Sequence, residues 1–147
     1  MAGPTAQPDD PIAALNQVLS EVIDLLLELK QAHQKVPRSH ALYAEIDRLS
    51  NDLKAWAGLL LDEDRVLGVS PLASMPSVAG RVAPVLWAGT VGDEEVRDVV
   101  GTDVDRLRLH VRAALAQQED GEARALLTAV DAGLSTHQDA LNELLLP

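Results

Sequence analysis

The residues best suited to chemistry near neutral pH in this 147-residue sequence are its four histidines: His33, His40, His110 and His137. His110 and His137 fall on or near the inner faces of two helical segments. A buried imidazole there can ligate a metal or a haem, but its commoner use is as a hydrogen-bonded core or interface group. His40 follows Ser39 at a helix start, where plain solvation is expected. The sequence holds no cysteine, which excludes disulfides, zinc ribbons, iron–sulfur clusters and thiol catalysis together. No glutamate is followed three residues later by a histidine, so the Glu-x-x-His pairs of di-iron bundles are missing. There is no His-Glu-x-x-His, no Gly-x-Ser-x-Gly elbow and no glycine-rich phosphate loop. Ser50, Ser74 and Ser135 have no spacing to the histidines that points to a triad.

These side chains need elements to position them, and the composition favours helices. Hydrophobic residues make up 47% but aromatics only 2%, so the core must be built from Leu, Val, Ala and Ile. Strand-rich sandwiches usually draw on aromatic residues. At this length roughly 68% of the unfolded surface can be buried in one core, without help from a metal or a crosslink. Residues 1–10 are small, acidic and proline-containing, and read as a disordered tail ahead of a single domain over 11–147. Asp9 or Asp10 can cap a helix that has Pro11 in its first turn. Leu15, Val18, Val22, Leu25 and Leu29 then recur in steps of three and four, predicting a helix to about Gln34, stopped by Pro37. Ser39 opens a second, carrying Leu42, Ile46, Leu49, Leu53, Trp56 and Leu60, to about Leu67 and Gly68.

Proline and glycine interrupt residues 68–92, which predict a long connection with at most a short helical turn or two. Asp93, Glu94 and Glu95 suit the first turn of a third helix, with Val96, Val100, Val104, Leu107, Val111 and Ala114 facing inward. After the polar turn 117–121, a fourth helix carries Leu127, Val130, Leu134, His137, Leu141 and Leu144 on one face. Gly101 and Gly133 interrupt these last two helices. Two short links and one long one predict an all-α, ferritin-like four-helix bundle with a crossover between helices two and three.

Three phrases carry a family resemblance. Leu15–Val36 reads LNQVLSEVIDLLLELKQAHQKV, and its close resembles the KQAHWNV phrase that ends the first helix of the Dps-like mini-ferritins. Ala57–Gly68, AGLLLDEDRVLG, resembles the end of that family's second helix. Gly121–Leu145, GEARALLTAVDAGLSTHQDALNELL, is similar to its closing helix after an acidic, glycine-containing turn. The phrases stand in the family's order, and the middle connection matches poorly.

The resemblance implies a bundle that assembles into a homo-oligomer, typically a hollow shell of twelve subunits. It implies an iron-oxidising centre at a two-fold interface, with two histidines from one subunit and an Asp and a Glu from its neighbour. Carried over position by position, the first histidine falls on His33. The second falls on Tyr43, with the link between helices one and two taken as two residues shorter than usual. The family Asp falls on Gly58 and the family Glu on Asp62. The metal-ligand set implied here is therefore His33, Tyr43 and Asp62. Ferrous iron favours imidazole and carboxylate donors. A tyrosine ligates ferric iron only as phenolate, against a reference pKa near ~10. The expectation is iron storage or detoxification with an impaired or absent ferroxidase centre. The alternative is a non-enzymatic helical scaffold or partner-binding protein that kept the bundle and lost the metal.

The charge bears on partners. Asp plus Glu is 23 against 12 for Lys plus Arg, a net charge of -11. Such a chain repels nucleic acid and anionic lipid unless its cations cluster. The nearest cluster, Arg106, Arg108 and Arg112, is expected to pair with helix acids. No direct duplex binding is expected. Asp103, Asp105, Glu119, Asp120, Glu122, Asp131 and Asp139 could line a mineral cavity, although acids also simply keep a bundle in solution. No apolar run is long enough to span a bilayer and no targeting signal opens the chain, so a cytoplasmic location is expected.

Overall fold

The computed structural model describes residues 10–38, 40–66 and 92–144 of the chain. Four α-helices account for nearly all of them: α1 (Pro11–Lys35), α2 (Ala41–Val66), α3 (Asp93–Leu115) and α4 (Glu122–Glu143). No strand occurs among the described residues. The protein is an all-α four-helix bundle. Residues 1–9 of the expected tail (1–10), residues 68–91 of the expected connection (68–92) and the second helix's expected ends at Ser39, Leu67 and Gly68 lie outside the described residues.

The helix ends follow local chemistry. Asp10 caps α1, its carboxylate accepting from the amides of Ile12 at 3.0 Å and Ala13 at 3.2 Å, with Pro11 in the first turn. Val36, ahead of Pro37, is extended and ends the helix. The three acids that open α3 sit where its dipole favours negative charge.

Every aliphatic stripe read from the sequence faces the core. The stripes of α1 and α3 are buried throughout, and so are the Leu and Ile positions of the α2 stripe. Trp56 and Leu144 pack at the rim, partly buried. Burial of this kind is worth roughly 1.5–3 kcal/mol per Leu, Ile or Val side chain before the entropy of ordering is set against it.

Side-chain and backbone ties reveal how the helices run. Gln118, just past the end of α3, donates to the Pro11 carbonyl at the start of α1, so α1 and α3 are antiparallel neighbours. Arg97 at the start of α3 reaches the Leu144 carbonyl at the end of α4. His137 near the end of α4 meets Glu45 near the start of α2. The short 36–40 link makes α1 and α2 antiparallel as well. Each helix thus packs on two antiparallel neighbours, in the cyclic order α1, α2, α4, α3. The diagonal pair α2 and α3 run parallel: His40, just ahead of α2, meets Asp93 at the start of α3 with Nδ1 2.5 Å from Oδ2. Val66 therefore lies about 39 Å from the end at which α3 begins, the length of a 26-residue helix.

Candidate functional site

α2 presents polar groups to both of its neighbours. Glu45 and Asp52 lie on the side facing α4, while Tyr43 and Asp47 lie on the side facing α1. The first pair brackets a buried histidine. His137 of α4 is buried between them, Nδ1 2.8 Å from Glu45 Oε1 and Nε2 2.6 Å from Asp52 Oδ2. The Glu45 side chain is only 2% exposed. Its other oxygen accepts from Arg48, at 2.6 Å from Nη2 and 3.0 Å from Nε. Two basic side chains and two carboxylates thus interlock at one seam, which is how buried charge is tolerated.

The electrostatics follow from that geometry. The hydrogen bond to Glu45 raises the His137 pKa above its ordinary 6.5; burial opposes this, and Asp52 adds to it. Burial pushes the Glu45 carboxyl up, but the hydrogen bonds and charges of His137 and Arg48 outweigh it and leave the pKa below 4.5. The stabilisation carried by His137 is therefore fully present below pH 6.5 and is lost as pH rises through its raised folded-state value. The stabilisation carried by Glu45 is present above pH 4.5 and is lost as pH falls through its lowered value.

Trp56 closes the site. Its indole meets His137 edge-on, with centroids 6.3 Å apart and the planes at 76°. The same indole lies on the backbone at Gly133, where an added Cβ would stand 2.7 Å from Cη2. Gly133 is therefore a packing requirement, not a simple interruption of α4. Gly101 faces open space and carries no such demand.

His33, on the last turns of α1, has a different setting. Its ring stacks against Tyr43, with centroids 4.5 Å apart and planes tilted by 33°. His33 Nε2 is shielded from solvent without a hydrogen-bond partner among the described residues, Asp47 Oδ1 standing 4.0 Å away. The fold thus brings His33 and Tyr43 together. It does not bring Asp62 to them: that residue lies about 28 Å further along α2, exposed, with Arg65 3.6 Å away. Its neighbour Asp64 is fully buried, and burial, then the charge of Glu63, pushes its pKa up to about 6. The burial cost of that carboxylate grows as pH rises towards 6 and is absent below 3.8.

The remaining candidates are structural ties. His40 is not merely solvated: half-buried, it joins the 36–40 link to Asp93, uniting two helix starts. His110 is turned outward and pairs with Glu21 of α1. Both ring nitrogens of His137 face carboxylate oxygens at hydrogen-bond distance. Arg108 and Arg112 both grip Asp131, at 2.8 and 3.3 Å, and Arg106 pairs with Asp103 at 3.3 Å. Among the described residues, no group of three His, Asp or Glu side chains could hold a metal ion. Also among them, no helix is long and apolar enough to cross a membrane.

Sequence reasoning singled out His137 but not its partners. A signal existed: Glu45 and Asp52 each stand three residues after a stripe leucine, Leu42 and Leu49, at a spacing that the stripe itself uses. Compared with known proteins, the chain matches no protein-family profile and no curated protein.

Proposed function

We propose that this chain is a divergent mini-ferritin of the Dps type, an iron-storage or iron-detoxification subunit whose ferroxidase centre is impaired or lost. One observation carries the reading. His33 and Tyr43, the two positions the resemblance assigns to one subunit, stand ring against ring at one end of the bundle. Asp62, the position assigned to the neighbour, is exposed far from them. A second copy of the chain would have to supply it, so the reading includes a homo-oligomer, with a shell of twelve as the family's usual form. The helix order and the parallel diagonal pair are compatible with the same connectivity.

The donor set fits iron poorly. One imidazole, one phenol and one carboxylate make a weak site for ferrous iron, which is why residual oxidation at most is proposed. Direct duplex binding is not part of the proposal, because Arg106, Arg108 and Arg112 are committed to carboxylates. A second reading is favoured by the seam between α2 and α4, where His137 is fully engaged in holding helices together. On that reading the bundle is a scaffold for a protein partner and handles no metal.

Size-exclusion chromatography with light scattering, following ferric absorbance after aerobic loading with ferrous iron, separates the two. A multi-chain particle that gains ferric absorbance, reduced in His33→Ala, is the expected result. A small species that stays free of iron discards the storage reading in favour of the scaffold. Equal oxidation by His33→Ala discards the site.

A further inference from the structure

The cluster of Glu45, His137 and Asp52 has a property that the iron reading neither uses nor requires. Carboxylates only accept hydrogen bonds, and both ring nitrogens of His137 face carboxylate oxygens at hydrogen-bond distance. Serving both partners takes an N–H on each nitrogen, which is the imidazolium. The neutral ring has one N–H and can serve only one partner; its other nitrogen would then oppose a carboxylate lone pair.

The two carboxylates are unequal. Glu45 is enclosed and anchored a second time by Arg48. The Asp52 side chain is 53% exposed and can take water in place of the histidine. Hence Asp52 is the partner that a neutral His137 releases, and the remaining proton stays on Nδ1, towards Glu45. Among the described residues, no other titratable group competes at the ring. From α2 the groups that face it are Glu45, Asp52 and, through Glu45, Arg48. On α4 itself, Asp139 is exposed two positions on. From α3, on the other side of α4, Arg108 and Asp105 engage Asp131 and Gln138 instead. Beside the ring a groove of about 560 Å³ runs between α2 and α4, lined by Glu45, Arg48, Asn51, Asp52, Thr136 and His137 among others. Asp52 lines it and meets Nε2.

We propose that His137 is a proton-operated latch between α2 and α4: as the imidazolium it bridges Glu45 and Asp52 beside the groove, and on losing its proton it keeps Glu45, releases Asp52 and loosens the seam. The latch stands whether or not the chain handles iron, since none of its groups belongs to the His33, Tyr43 and Asp62 set.

Nitrogen-15 NMR of the histidine side chains of the full chain, titrated from acid to alkaline pH, reads the latch directly. The expected result is a His137 midpoint above 6.5, with the neutral ring in the Nδ1–H form. Asp52→Asn removes only the charge of the exposed partner, so the fold survives. It is expected to lower the midpoint while keeping the Nδ1–H form. Amide-exchange protection over 51–56 and 133–140, with the base-catalysed intrinsic rate divided out, should fall through the His137 midpoint in the parent and respond less to pH in the variant, whose neutral amide can pair with either form of the ring. A midpoint at or below 6.5, a neutral Nε2–H ring, or a midpoint unmoved in folded Asp52→Asn overturns the proposal. An independent readout uses Trp87→Phe, which leaves Trp56 as the single indole. Its emission should rise as the quenching imidazolium is lost, and emission that stays flat through the His137 midpoint counts against the latch.

Discussion

Two histidines flank the same stretch of α2, and their surroundings could hardly differ more. His137, on the α4 side, has both nitrogens paired with carboxylates and its ring closed by Trp56. His33, on the α1 side, stacks on Tyr43 and has a shielded nitrogen with no hydrogen bond among the described residues. A polar group that is buried and fully paired holds helices in register, and breaking it leaves an uncompensated charge. A shielded group that lacks a bond carries a desolvation cost and retains capacity for another partner. The comparison separates a seam built for stability from an end suited to a ligand or a second chain.

The largest test of that contrast is Glu45→Ala. It strips His137 and Arg48 of their shared carboxylate in a buried setting and should cost about 3 kcal/mol, at the low end for a broken buried pair. A urea midpoint within experimental scatter of the parent, at unchanged slope, would place the seam among the indifferent ion pairs. Next comes the glycine that admits Trp56. Gly133→Ala drives a methyl group into the indole and should destabilise by about 1–2 kcal/mol, even though alanine is the better helix former. Gly101→Ala meets open space and should instead stabilise by about 0.5–1 kcal/mol. Opposite signs in thermal melts of the two variants would confirm that one glycine serves packing and the other does not. The smallest effect is expected at His33→Ala, a change under about 1 kcal/mol, since only a ring contact is lost. A cost as large as that of Glu45→Ala would erase the distinction between the two histidines.

The fold was legible because its signals are local and repeated. Leu15 to Leu29, Leu42 to Leu60 and Val96 to Ala114 recur at helical spacing, and the aliphatic positions of those stripes are buried. Asp10, Pro11 and Pro37 marked the bounds of α1 through capping and through the missing amide of proline. The histidines were legible only as residue types. His137 was read as an inner-face residue, which it is, but Glu45 and Asp52 are more than eighty positions away, and their register in α2 does not say which histidine they meet. His40 read as solvated because its partner, Asp93, begins a helix that is distant in the chain. Gly133 read as a mild interruption because the indole that requires it belongs to another helix.

Periodicity and capping, both confined to a few consecutive residues, are enough to dictate four amphipathic helices and the faces they bury. Which helix stands beside which, and therefore which acid meets which histidine, depends on contacts between residues far apart in the chain. Only the packed bundle could turn α2 so that Glu45 and Asp52 meet His137 while Tyr43 and Asp47 meet His33. A charge is stabilised by whatever stands within a few ångströms of it, and in a folded chain those neighbours are set by packing.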